Sequence, residues 1–92
     1  MILYLELDCK LYESFSLKDK RSVVKRLTTK IKKDFNVSIA ELDYHELWQR
    51  AKLGVVTIAN EKRHAEKVLQ EIIRLVDSYS EMEQISFTIE EI

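Results

Sequence analysis

The chain has 92 residues, 46% hydrophobic and 34% charged, a balance that fits one globular domain over residues 1–92 and leaves no room for a second. Lys plus Arg number 15 against 16 Asp plus Glu, so bulk charge predicts no general affinity for nucleic acid or membrane. One cysteine excludes an internal disulfide, one Cys with two His falls short of a self-contained zinc site, and no apolar run is long enough to span a membrane.

Met1 to Glu6 carries no basic leader and soon reaches an acid, so no signal peptide is expected and a cytoplasmic location follows. Residues 2–12 alternate: Leu3, Leu5, Leu7, Cys9 and Leu11 fall on one face, Tyr4, Glu6, Asp8, Lys10 and Tyr12 on the other. Period two predicts a half-buried strand. Ser16 then opens a helix, with Asp19 completing a short capping box. Leu17, Val24, Leu27, Ile31 and Phe35 recur at helical spacing, and Asn36 is a plausible stop.

Val37 to Leu42 predicts a short second strand and Leu53 to Ala59 a third, joined by a polar and aromatic connection from Asp43 to Lys52. Asn60 is expected to cap a second helix with a buried stripe of Ala65, Val68, Leu69, Ile72, Val76 and Tyr79. A turn at Tyr79 to Glu83 leads to a last strand, in which Ile85, Phe87 and Ile89 form one apolar face. The order β-α-β-β-α-β predicts an α+β, ferredoxin-like domain: a four-stranded antiparallel sheet, spatial order 4-1-3-2, with two helices on one face. The other sheet face would carry Tyr4, Tyr12, one set from Val55, Thr57 and Ala59, and Ser86 and Thr88. Such a mixed open face suggests a partner surface.

No catalytic constellation stands out. Cys9 shares the face of the strand leucines and is expected to be a small core residue. Glu6 and Asp8 have no base or nucleophile near them in sequence, and His64 is expected to serve packing or the surface. Acylphosphatases share the fold class but need a Gly-rich phosphate loop after the first strand; here Tyr12 to Ser16 has no Gly and contains an acid. The only glycine is Gly54, and there is no proline. No metal site and no cofactor are expected.

Charge patterning is more informative than total charge. Residues 14–33 hold eight basic residues against the single acid Asp19. Surface helices usually mix signs for i, i+4 pairing, so a single-sign face suggests an anionic partner, RNA above all. The expected nucleic-acid-binding set is Lys18, Lys20, Arg21, Lys25, Arg26, Lys32 and Lys33, with Lys30 closing the arc. RNA-recognition modules share this topology and stack bases on sheet aromatics, but the third strand here has no aromatic and Glu6 and Asp8 would repel phosphate. Any RNA contact should come from the helix. A second candidate site is the connection holding His45, Trp48, Gln49 and Arg50, residue types common at binding hot spots. The alternatives there are a solvated His45 and a Trp48 that caps the sheet edge.

Four blocks resemble the YlxP-like family. Ser16-Leu17-Lys18-Asp19-Lys20-Arg21-Ser22 is similar to the opening of its first helix, and Phe35-Asn36-Val37-Ser38-Ile39-Ala40-Glu41 to its second strand. His45, Leu47-Trp48-Gln49-Arg50-Ala51 and Leu53-Gly54 follow its His-x-x-Leu-Trp-Gln-Arg-Ala-x-Leu-Gly run, and His64-Ala65-Glu66 sits where the family has the same triplet. Asp43-Tyr44 departs from the family, where Gly is common. The resemblance implies a small bacterial cytoplasmic protein with a ferredoxin-like fold and no established activity, a domain of unknown function often encoded beside translation factors. The resulting expectation is a non-enzymatic accessory protein that contacts ribosomal RNA or a ribosome-assembly intermediate. The alternative is a dimeric ligand-sensing or protein-interaction module. A homodimer through the open sheet face is expected, with no membrane association.

Overall fold

Every second residue from Leu3 to Leu11 is apolar, and the chain runs as a strand there. In the computed structural model, which describes residues 1–92, β1 (Ile2–Leu11) buries Leu3, Leu5, Leu7, Cys9 and Leu11. α1 (Leu17–Asp34) follows, capped as expected: the Asp19 N–H donates to Ser16 Oγ at 3.0 Å. The Asp19 carboxylate reaches back one residue further than an ideal capping box and accepts from the Phe15 N–H at 3.0 Å.

The remaining elements are β2 (Val37–Asp43), β3 (Arg50–Ile58), α2 (Lys62–Asp77) and β4 (Met82–Glu91). The strands form one antiparallel sheet in the order β2-β3-β1-β4, the expected arrangement. α1 lies over β2, and α2 over β1, β3 and β4. Between helices and sheet sits a core built from Leu5, Leu7, Leu27, Ile31, Leu53, Val55, Leu69 and Ile72, all fully buried. Each such side chain contributes about 1.5–3 kcal/mol by leaving water, so this layer dominates the stability.

Four expectations are corrected. β3 starts at Arg50, three residues before Leu53, because Arg50, Ala51 and Lys52 continue the ladder opposite Lys10, Cys9 and Asp8. Register also reverses the predicted faces of β3. Val55 and Thr57 pair with Leu5 and Leu3, so they face the helices and are buried. The open face instead carries Arg50, Lys52, Gly54, Val56 and Ile58. Asn60 does not cap α2: Glu61 occupies that position and makes no side-chain cap bond. On β4, a bulge opposite Asp8 and Cys9 breaks the alternation, and the strand lies at the sheet edge. Ile85 and Phe87 are therefore about half exposed, and Met82 is the buried anchor.

Candidate functional site

The eight basic residues of α1 do not form one surface. Lys20 leaves the expected set altogether: it is 1% exposed. It lies on the apolar stripe with Val24, Leu27 and Ile31, at helical steps of four, three and four. Its stem fills core space while its ammonium reaches the sheet end. There it donates to Glu41 Oε2 at 2.9 Å and to the carbonyl of Tyr44 at 2.7 Å, with the carbonyls of His45 and Arg50 at 3.3 Å. Three protons cannot serve four acceptors singly, so the longer contacts share one.

Arg26 and Lys30 are exposed but paired in the chain, with Glu81 and Asp34. The Lys30 partner holds the Asp34 carboxyl below its ordinary range. Lys18, Arg21, Lys25, Lys32 and Lys33 are exposed and make no ion pair. Helical geometry sends these cations two ways. Ser22, Lys25, Arg26, Thr29, Lys30 and Lys33 share the outward surface. Arg21, Lys25 and Lys32 turn toward β2 and line a groove with Val24, Thr28, Ile39, Ala40 and Glu41.

The second predicted cluster occupies the connection between β2 and β3. Trp48 is 51% exposed. The backbone beneath it is tightly held. Lys20 gathers three carbonyls, the Leu47 N–H donates to the Tyr44 carbonyl, and the Leu11 N–H donates to the Gln49 carbonyl. The Gln49 amide donates to the Ser14 carbonyl at 3.1 Å, and Arg50 donates to both Asp8 oxygens at 2.8 and 2.9 Å. Those two side chains are committed within the chain. His45 is exposed, with Nε2 3.2 Å from the Glu41 carbonyl, so neither Asp43 nor Glu46 orients it. Trp48 and His45 are the members whose side chains make no hydrogen bond to another side chain and stand exposed.

The third surface is the open sheet face, expected from the sequence but lined by other β3 residues than those predicted. Tyr44 has φ 64, a left-handed conformation that a bulky side chain rarely adopts. The turn brings its ring over the open sheet face, 4.7 Å from the Arg50 guanidinium and 5.4 Å from Lys52 Nζ. Lys52 pairs with Glu6 at 3.3 Å, and Tyr4 donates to Glu6 at 2.9 Å. Hydrogen bonds to Asp8 and Glu6 raise the pKa values of Arg50 and Lys52, and burial with Glu6 raises that of Tyr4. One half of the open face is thus a closed set of charge pairs. The other half is mainly apolar: Leu42, Val56 and Ile58 are exposed around Tyr4, with Glu90 opposite Tyr4 on β4. Leu42 folds over Gly54, where an added Cβ would lie 2.6 Å from Leu42 Cδ1. The sequence signal for this surface was the alternation Arg50-Lys52-Gly54-Val56-Ile58, hidden by starting the strand at Leu53.

Cys9 is buried, and burial together with Asp8 and Asp77 pushes its thiol up to about 12, away from nucleophile chemistry. No three His, Cys, Asp or Glu side chains cluster in a geometry that would hold a metal. No helix is long and apolar enough to cross a membrane.

A family model described as "Protein of unknown function (DUF503)" matches residues 2–89. An uncharacterized protein of Bacillus subtilis (strain 168), YlxP, is 39% identical over 84 residues, which cover 91% of this chain and 91% of that protein. The resemblance read from the four sequence blocks is thereby established. Among solved structures, a de novo designed protein with ferredoxin fold, LFR1 1, superposes with a TM-score of 0.56 at 14% identity, covering 98% of this chain and 81% of that one. This likeness concerns the fold alone.

Proposed function

We propose that this chain, which belongs to the DUF503 family of proteins of unknown function, is a non-enzymatic cytoplasmic accessory protein that contacts RNA through α1, with ribosomal RNA or a ribosome-assembly intermediate as partner. The observation that carries this reading is the outward surface of α1. Lys25, Arg26, Lys30 and Lys33 lie together there, and Lys25 and Lys33 make no ion pair. Like charges at i, i+4, such as Arg26 with Lys30, weaken an isolated helix by about 0.2–0.5 kcal/mol per pair. A helix that carries this cost gains from an anionic ligand. The ion pairs of Arg26 and Lys30 are surface pairs of small value, so phosphates can replace their carboxylates. Trp48 and His45, on a braced loop near the first turn of α1, supply a specific contact.

The test is cosedimentation with ribosomal subunits over a salt series. Four phosphate contacts give a log–log slope of about −3 to −4. Binding that ignores salt, or that survives charge reversal at Lys25, Arg26 and Lys33 together, sinks the reading.

The open sheet face favours a second reading, a homodimer that acts as a protein-interaction or ligand-sensing module. Glu6 and Asp8 are already paired to Lys52 and Arg50 in their own chain, so covering this face leaves Glu90, opposite Tyr4 and unpaired, as the carboxylate that must lie at the rim or meet a cation. The apolar half around Tyr4, Leu42, Val56 and Ile58 supplies the area to bury.

A further inference from the structure

β2 is an outer strand of the sheet, with no strand beyond it. Along that side the Val37 N–H donates to the Phe35 carbonyl and the Glu41 carbonyl lies 3.2 Å from His45 Nε2, so the backbone groups of Ile39, between them, are the ones left open to a partner. Natural edges are blunted by proline, lysine or a bulge. Val37 to Glu41 carries no proline or lysine, and its only irregularity comes at its end, between Glu41 and Asp43.

Above this edge stands the groove side of α1. Its floor is apolar: Val24 is 8% and Ile39 9% exposed. Its wall is cationic, with Arg21, Lys25 and Lys32, none paired within the chain. The one acid in the groove, Glu41, is held by Lys20 at 2.9 Å. Backbone edge, apolar floor and unmatched cations are three separate features, and a strand is the ligand that meets all three. Alternate side chains of an added strand recur about every 6.7 Å on one face. Arg21 and Lys25 are four residues apart, a rise of about 6 Å along the helix. Acids at every second position of such a strand therefore fall in step with this pair. An RNA strand would meet the cations but leave the Ile39 backbone groups and the apolar floor unsatisfied.

We propose that the groove between α1 and β2 docks an extended acidic segment of a partner protein, which adds a fifth strand beside β2 and sets alternate Asp or Glu side chains against Arg21, Lys25 and Lys32. This goes beyond the RNA reading and does not depend on it, since only Lys25 is common to both surfaces. The recognition mode is strand addition, with main-chain bonds supplying affinity and the cationic wall supplying selectivity.

The experiment is an NMR titration of the isotopically labelled protein with an acetylated eight-residue peptide of alternating Glu and Val. Expected are shifts and slowed amide exchange confined to β2 and the facing side of α1. The double variant Arg21→Glu, Lys32→Glu weakens binding tenfold or more, and Arg21→Ala, Lys32→Ala weakens it less. Lys33→Glu, on the outward surface, changes it little. All these side chains are exposed, so the fold is preserved, and the amide spectrum verifies that directly. Peptides N-methylated at alternate positions, in both phases, separate strand addition from charge attraction: one phase binds at least tenfold more weakly. Absence of binding at millimolar peptide overturns the proposal. So does equal binding of a Lys–Val peptide, equal binding of both N-methylated phases, or shifts at the β4 edge instead. Titration with poly(U) is the remaining arm: if it moves the β2 amides while the Glu–Val peptide does not, the groove belongs to RNA and the proposal falls.

Discussion

Lys20 holds the β2–β3 connection in place from inside the core. Its ammonium binds Glu41 and three loop carbonyls, while its stem is packed beside Val24. Lys20→Met keeps the packing but leaves a carboxylate and carbonyls without their donor. Breaking a buried ion pair from one side costs about 3–5 kcal/mol, and that loss is expected in chemical denaturation. Adding Glu41→Leu should restore part of it, because the carboxylate is then gone as well. Trp48, the only tryptophan, reports the loop: its emission should become more quenchable in Lys20→Met. A variant as stable as the parent, with unchanged quenching, would show that the loop stands without the lysine. Trp48→Ala is the converse case. At 51% exposure the ring contributes little to folding, so stability should change by less than about 1 kcal/mol while ribosome binding falls. A loss near the 3–5 kcal/mol of a core aromatic would make Trp48 structural.

Cys9 gives a pH-dependent prediction at the same scale. Its thiol is pushed up to about 12 in the folded chain, mainly by burial, against about 8.5 when unfolded. Below the unfolded value the thiol is protonated in both states and costs nothing. As pH rises from about 9 toward 12 only the unfolded chain ionises, so stability falls by up to about 1.4 kcal/mol per pH unit. Cys9→Ala removes this term, so the stability gap between parent and variant should narrow across that range. A constant gap would contradict the assigned burial. In the native protein at neutral pH, a thiol reagent should react only as fast as the core opens.

At the scale of elements, the two helices differ at their N-termini. Ser16 caps α1, and Ser16→Ala should cost about 1 kcal/mol. α2 has Glu61 at the corresponding position with no cap bond, so Glu61→Ser should raise stability by a similar amount, read as a higher denaturation midpoint. If both substitutions are neutral, neither terminus matters to folding. The elements themselves were legible because each has a clear period: β1 by strict alternation, α1 and α2 by apolar stripes, and their order by the single way such units pack. What escaped reading depended on partners far away in sequence. Lys20 sits on the apolar stripe, but its burial is explained only by carbonyls 24 to 30 positions later. The faces of β3 were set by its register with β1, because a run such as Val55-Val56-Thr57-Ile58 looks the same in either phase. The β4 bulge is likewise a property of the pair, and it turned a tidy apolar face into half-exposed Ile85 and Phe87.

For the whole molecule, the question is what covers the open sheet face. The helices lie on one side only, and the domain is small, so the bare side leaves Leu42, Val56 and Ile58 in water. A twofold pairing of these faces would bury the apolar patch and repeat each contact twice. Pairing through the β4 edge is disfavoured, since that strand has no Lys or Arg and an antiparallel self-pairing would set Glu against Glu. The rival geometry, β2 against β2 beside the Trp48 loop, brings the cations of the groove together. The sheet-face dimer therefore predicts that Val56→Lys with Ile58→Lys yields folded monomers, while Tyr12→Lys does not. Tyr12 lies past the end of β1 and donates to Glu83, away from the patch. Sedimentation equilibrium at micromolar concentration should give twice the 10.9 kDa of one chain for the parent and for Tyr12→Lys, and a single chain for the double variant. A parent that sediments as a single chain removes the dimer, and a double variant that stays paired moves the interface to an edge.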